Sequence, residues 1–162
     1  MSIFVIQGGV GMRSAVATAF LCAGTWALPS MACTAFSSVE VPQVRDVAIA
    51  NGGYEISDIQ CQLLQRKGLV LQVIGYSKVL SGTAVSWAEV RLKDPAIGTV
   101  SDLAGLSTFA NSANGTQAFA DQLLLTAIKE AIGRLNFDVA AAQIDNYRAK
   151  ALANNSASGV KR

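Results

Sequence analysis

The most regular hydrophobic pattern in the chain begins after Thr116. Apolar residues recur there three and four positions apart, namely Phe119, Ala120, Leu123, Leu124, Ala127, Ile128, Ala131, Ile132 and Leu135. This spacing predicts an amphipathic helix with Thr116 at its N-cap. A second helix is predicted to begin at Asn136 or Asp138 and to bury Ile144. The two helices are expected to form an αα-hairpin.

Two stretches before Pro95 have the pattern of β-strands. Leu69–Leu80 is rich in β-branched and aromatic residues, and Ser81-Gly82 follows it as a turn. Residues 83–93 alternate between two sides. One side holds Ala84, Ala88, Val90 and Leu92, and the other holds Thr83, Trp87, Glu89, Arg91 and Lys93. The alternation predicts a strand with one face in the core and the other in water.

Three other stretches are harder to interpret. Residues 54–65 are predicted to form a strand, because a hairpin alone is only marginally stable and needs a third strand. The alternative is a helix, since Ser57 and Gln60 have the spacing of a capping box. Residues 44–50 fit a short helix or an edge strand. Ser101-Asp102 is predicted to cap a short helix that ends at Asn114-Gly115.

The order of these elements predicts an α+β fold. A small antiparallel β-meander is expected to be covered on its apolar face by the C-terminal αα-hairpin, after an N-terminal signal segment. Residues 33–153 are expected to form this single domain, and residues 154–162 a flexible polar tail.

The N-terminal segment, residues 1–32, has the features of a secretory signal. Arg13 precedes an uncharged run from Ala15 to Leu28, and Ser30 and Ala32 place small residues before Cys33. The run is shorter than the ~20 residues that a membrane-spanning helix needs. Residues 1–11 are interpreted as an upstream start, because Met12 would itself begin a conventional signal. The alternatives are a retained membrane anchor and a buried core helix.

Cleavage before Cys33 leaves two cysteines, Cys33 and Cys61, in the mature chain. An even pair in an oxidising compartment predicts a disulfide bond. One alternative is a lipoprotein acylated on Cys33, although Ser30 and Met31 match the bacterial lipobox poorly. Another is cleavage after Ala35, which would remove Cys33 and leave Cys61 alone.

The composition excludes several classes of function. The chain has no histidine, which removes Ser-His, Cys-His and His-metal sites. Its net charge is only +2 and the basic residues are scattered, so nucleic-acid binding is not expected. Neither a cofactor nor a metal site is predicted. A histidine-free hydrolase built on carboxylates is the one enzymatic alternative.

The candidate binding residues are Trp87, Glu89 and Arg91, which share the polar side of one predicted strand. Tryptophan and arginine are enriched at binding hot spots. The competing interpretation is that a helix covers Trp87. We therefore expect a periplasmic or secreted, non-enzymatic binding protein, such as an inhibitor, immunity protein or envelope assembly factor. Its partner would be another envelope protein. Membrane contact is expected only through the signal segment or a lipid on Cys33, as in an envelope lipoprotein or structural subunit.

Overall fold

The computed structural model describes residues 41–158. The predicted signal segment and Cys33 lie outside this range. The described elements, in chain order, are α1 (Pro42–Ala50), α2 (Asp58–Lys67), β1 (Val70–Leu80), β2 (Thr83–Asp94), β3 (Thr99–Asn111), α3 (Gln117–Arg134) and α4 (Phe137–Ser158). An antiparallel sheet followed by two C-terminal helices makes the fold α+β, as the sequence predicts.

The sheet has three strands in the order β1-β2-β3, each antiparallel to the next. A two-residue loop joins β1 to β2, and Leu80 pairs with Thr83 across it. Ser81 (φ 48°) and Gly82 (φ 78°) are both left-handed. Two successive positive φ angles are the signature of a type I′ turn, which matches the natural twist of a hairpin. The sequence prediction of strands on both sides of this turn is confirmed.

The third strand, β3, corrects the sequence prediction of a helix capped by Ser101-Asp102. Gly105 lies at the centre of β3, where a Cβ would be only 1.9 Å from the carbonyl oxygen of Ala131 in α3. Ser101 occupies an irregularity in the pairing of β2 with β3. Its hydroxyl accepts a hydrogen bond from the Leu92 amide at 3.1 Å and donates to the Leu103 carbonyl at 2.8 Å. The serine therefore supports a strand irregularity and does not cap a helix.

The second helix, α2, also corrects the sequence prediction, which favoured a strand over residues 54–65. The Ser57 hydroxyl accepts from the Gln60 amide at 3.3 Å, and the Gln60 side chain accepts from the Ser57 amide at 2.9 Å. This is a complete capping box. Gly68 ends the helix in the left-handed conformation.

The remaining helix boundaries resolve alternatives that the sequence left open. Residues 44–50 belong to helix α1. Asn136 precedes α4, and its side chain accepts a hydrogen bond from the Val139 amide at 3.1 Å. Thr116 caps α3 as predicted, accepting from the Phe119 amide at 3.3 Å. Helix α4 continues to Ser158, past Asn154, where the sequence predicts the polar tail to begin.

The hydrophobic core lies on one side of the sheet. It combines alternate residues of the strands with the buried sides of the helices: Val44, Leu63, Leu64, Leu71, Val73, Ala88, Val90, Leu92, Leu124, Ile128 and Ile144. Among residues 41–158, one face of the sheet is therefore covered by helices and the other is open.

Candidate functional site

The candidate site is the open face of the sheet. The strand register places the following side chains on it: Ile74, Tyr76, Lys78 and Leu80 from β1, Val85, Trp87, Glu89 and Arg91 from β2, and Ala104, Leu106, Thr108 and Ala110 from β3. Gln72 lies on the same face opposite Arg91 but is buried, so the exposed part of the face lies beyond it. Within residues 41–158, the helices contribute their buried residues to the core on the opposite face. This surface is called the open face below.

An aromatic pair forms the centre of the open face. Tyr76 lies directly opposite Trp87 in the β1–β2 register. Tyr76 is 44% exposed and Trp87 is 37% exposed. Cross-strand aromatic pairs stabilise a sheet, and large exposed aromatics also supply contact area at little entropic cost. The pair is therefore a ready contact surface, and its contribution to the stability of the sheet is about 1 kcal/mol or less.

Aliphatic side chains extend this centre in both directions. Leu106 is 54% exposed and Leu80 is 52% exposed. Ile74 and Val85 are half-buried beside them. Isolated exposed apolar residues are ordinary on protein surfaces, whereas a contiguous apolar patch with polar residues around it is typical of an interaction site.

Two charged residues border the apolar centre. Arg91 donates a hydrogen bond to Glu89, two positions before it on the same face of β2. The guanidinium also donates to the Ser101 carbonyl at 3.3 Å, beside the irregularity in β3. Both side chains are partly buried: Arg91 is 33% exposed and Glu89 is 20% exposed. The guanidinium is thus fixed in position at the edge of the patch.

The structure brings the three candidate residues Trp87, Glu89 and Arg91 onto one face of β2, where the alternation placed them. Trp87 lies on the face opposite the helices. Tyr76, Lys78 and Leu106 join them, although the sequence pattern did not assign these three residues to the site. Leu106 was missed because β3 was assigned to a helix, although Ala104, Leu106, Thr108 and Ala110 follow the alternation of a strand.

Side chains from the helices cover backbone groups at both edges of the sheet. The side-chain amide of Gln43 donates to the backbone carbonyl of Ser77 at 3.0 Å and accepts from the backbone N–H of Ser77 at 3.3 Å. The backbone of a neighbouring strand would make the same two hydrogen bonds. On β3, Arg134 donates to the Leu106 carbonyl at 3.1 Å, and the Gln143 side chain accepts from the Leu103 amide at 3.1 Å. Covered edges discourage pairing with a foreign strand. The face is consequently a better contact surface than either edge.

A cleft of about 720 Å³ lies between α1 and α3. Asp121 lines it together with Gln43 and Asp46. The Asp121 carboxylate accepts hydrogen bonds from Gln43 at 3.2 Å, from Gln117 at 2.9 Å and from the Ser77 hydroxyl. Ser77 is only 3% exposed. We interpret this cluster as a connection between α1, β1 and α3.

The predicted disulfide involves one described cysteine, Cys61. It lies in α2, is 7% exposed, and its sulfur accepts a hydrogen bond from Gln65 at 3.3 Å. Its predicted partner, Cys33, lies outside the described residues, so the bridge stays a prediction. Among residues 41–158 there is no group of three or more acidic or cysteine side chains that could hold a metal ion.

In the part of the chain that the structure describes, no helix has the length and apolar character needed to cross a membrane. No protein-family model, curated protein or solved structure matches the chain.

Proposed function

We propose that the chain is an exported bacterial envelope protein that acts by binding another envelope protein through the open face. Such a protein would be an inhibitor, an immunity protein or an assembly factor. The single observation that carries the proposal is the exposed Tyr76–Trp87 pair within an apolar patch on the sheet. Tryptophan and tyrosine dominate the energetics of protein interfaces.

Three features of the open face support binding over catalysis. Its centre is aromatic and aliphatic, its border holds the Glu89–Arg91 ion pair, and its side chains project from strands rather than loops. Residues held on strands keep their geometry without a partner, which lowers the entropic cost of association.

The uncharged run from Ala15 to Leu28 supports export, because Arg13 precedes it and small residues precede Cys33. Fractionation of the host should find a shortened chain outside the cytoplasm. Full-length protein that is soluble in the cytoplasm would contradict export and would leave the open face as a binding surface in another compartment.

Site-specific photo-crosslinking in the native host tests which surface meets the partner. A photoreactive residue replaces Thr108, which is exposed on the open face, or Gln122, which is exposed on α3. We expect position 108 to give a crosslinked product that contains a second, different protein, and position 122 to give none; a crosslinked homodimer alone would not support the proposal. Crosslinking from position 122 alone would move the binding surface to the helical side.

A further inference from the structure

The open face is complementary to itself about Trp87. Lys78 pairs with Val85, two positions before Trp87, and Ile74 pairs with Glu89, two positions after it. A cation and an anion therefore lie at equal distances on opposite sides of the central aromatic pair. On β3, Ala110 lies opposite Val85 and Leu106 lies opposite Glu89. A small and a large side chain therefore also lie at equal distances on opposite sides of the centre.

A two-fold axis that runs across the strands at Trp87 would match opposite charges between two copies, and it would also match large side chains with small ones. Such an axis makes each strand of one copy run antiparallel to the same strand of the other copy. A residue level with position 89 in one copy therefore faces a residue level with position 85 in the other. Lys78 of each copy then lies over Ile74 of the other, beside the carboxylate of Glu89. Leu106 of each copy lies over the small side chain of Ala110. A two-fold interface must be self-complementary in this sense.

A two-fold axis along the strands is less favourable than one across them. A two-fold axis along β2 places Glu89 of one copy over Glu89 of the other, and like charges in direct contact oppose association. Stacked sheets also need apolar inner faces about 10 Å apart, and the centre of the open face has no charge between Lys78 and Glu89.

The size of the face sets the strength of such a dimer. Three strands about 4.8 Å apart and roughly ten residues long at about 3.3 Å per residue cover roughly 500 Å². Two copies would bury roughly 1,000 Å², near the lower limit for a specific interface. We expect a dissociation constant of about micromolar or weaker, which leaves the face accessible to a tighter partner.

We infer that a second copy of this chain occupies the open face, in a two-fold dimer centred on Trp87, and that a binding partner must displace it. The inference rests on the proposed function only in assigning partner binding to the same face. Self-association is measured without any partner, so a failure of the dimer and a failure of partner binding are distinguishable.

Sedimentation velocity of the protein, purified in the form that its host accumulates, tests the inference between about 1 and 200 µM. We expect a concentration-dependent dimer. Leu106→Glu, at a side chain that is 54% exposed, should leave only monomer. Lys78→Glu should weaken the dimer roughly tenfold, because symmetry repeats the contact. Lys129→Glu on α3, at a side chain that is 48% exposed, is the matched control and should change nothing.

The charge-swapped variant Lys78→Glu/Glu89→Lys/Arg91→Glu separates this geometry from nonspecific association, and its third substitution keeps an ion pair between positions 89 and 91. The swap should recover most of the affinity that Lys78→Glu loses, and the recovery should shrink at high salt. A monomer at every concentration overturns the inference. A dimer that survives Leu106→Glu, or a swap that recovers nothing, overturns it equally. Circular dichroism confirms that each variant is folded.

Discussion

Asp94, the last residue of β2, is 1% exposed and accepts a hydrogen bond from Nε of Arg148 in α4 at 2.6 Å. The same guanidinium donates to the Lys67 carbonyl at the end of α2 at 2.8 Å. The Asp94 side chain also accepts from the Ala96 amide at 2.8 Å in the turn that follows β2. One ion pair, between the buried Asp94 and the half-buried Arg148, therefore connects α2, α4 and the β2–β3 turn.

Arg148→Ala should be among the most destabilising single substitutions outside the apolar core. Removing the half-buried Arg148 leaves the buried Asp94 carboxylate with backbone donors only, and loss of a partner at a buried acceptor typically costs about 1–3 kcal/mol. Urea denaturation measures the change in the free energy of unfolding. Arg45→Ala is the control, because its side chain is 64% exposed and should change stability by less than about 0.5 kcal/mol. Equal effects of the two substitutions would contradict a structural role for Arg148.

Stability should decrease in acid through Asp94. Burial opposes ionisation of this carboxyl group, but the hydrogen bond from Arg148 and the backbone donors outweigh it, so the pKa of Asp94 is lowered. A lowered pKa stabilises the fold above the unfolded value of about 3.9, and this stabilisation is lost as the pH falls through the folded pKa. The difference in unfolding free energy between the wild type and Asp94→Asn should be constant near neutrality and should shrink below about pH 4. A difference that does not change with pH would show that the Asp94 charge does not stabilise the fold.

Gly105→Ala tests the close approach of β3 and α3. The added Cβ would lie 1.9 Å from the Ala131 carbonyl oxygen, so the helix must move away from the sheet. We expect a loss of more than about 3 kcal/mol, as for severe overpacking. Gly133→Ala is the matched control on α3, where an added Cβ meets nothing within 4 Å. There the substitution should stabilise the helix by up to about 1 kcal/mol. Similar melting temperatures for the two variants would contradict this packing.

The predicted Cys33–Cys61 bridge is tested by thiol titration of the unfolded, unreduced mature protein. A bridge would close a loop of about thirty residues and stabilise the fold by about 3–4 kcal/mol in the chain-entropy model. We expect no reactive thiol and an intact mass that is two hydrogens lower than the reduced chain. Two reactive thiols would refute the bridge, and a diacylglycerol mass increment would instead favour lipid attachment at Cys33.

The sequence predicts those elements whose pattern is set by local chemistry. Thr116 and the apolar stripe after it determine α3, and the turn at Ser81-Gly82 with the alternation from Thr83 to Lys93 determines the β1–β2 hairpin. The polar side of that alternation also predicts that Trp87, Glu89 and Arg91 share a face. These assignments depend on periods of 3.6 and 2 residues, which the sequence displays directly.

Two elements depend on contacts that the local sequence does not show. Residues 99–111 contain alanine, leucine and a Ser-Asp pair that resembles a helix cap, yet Gly105 pairs with Val90 and packs against Ala131 to make this stretch the third strand. β3 supplies the third strand that the β1–β2 hairpin needs, so residues 58–67 are not required as a strand. Their capping box favours a helix instead. The wrong prediction of a helix at β3 therefore led to the wrong prediction of a strand at α2, and it left Leu106 out of the candidate site.

The measurement that most directly tests the binding role of the open face is made on Trp87→Ala. The side chain is 37% exposed and lies away from the helices, so its truncation should change the melting temperature by only a few degrees. Capture of the partner from envelope extract should be lost, because an aromatic hot spot typically contributes 2 kcal/mol or more to binding. Ile59→Ala on α2, where the side chain is 79% exposed, is the control and should keep capture intact. A large decrease in melting temperature would make Trp87 a structural residue, and full capture by a stable Trp87→Ala variant would contradict binding through this face.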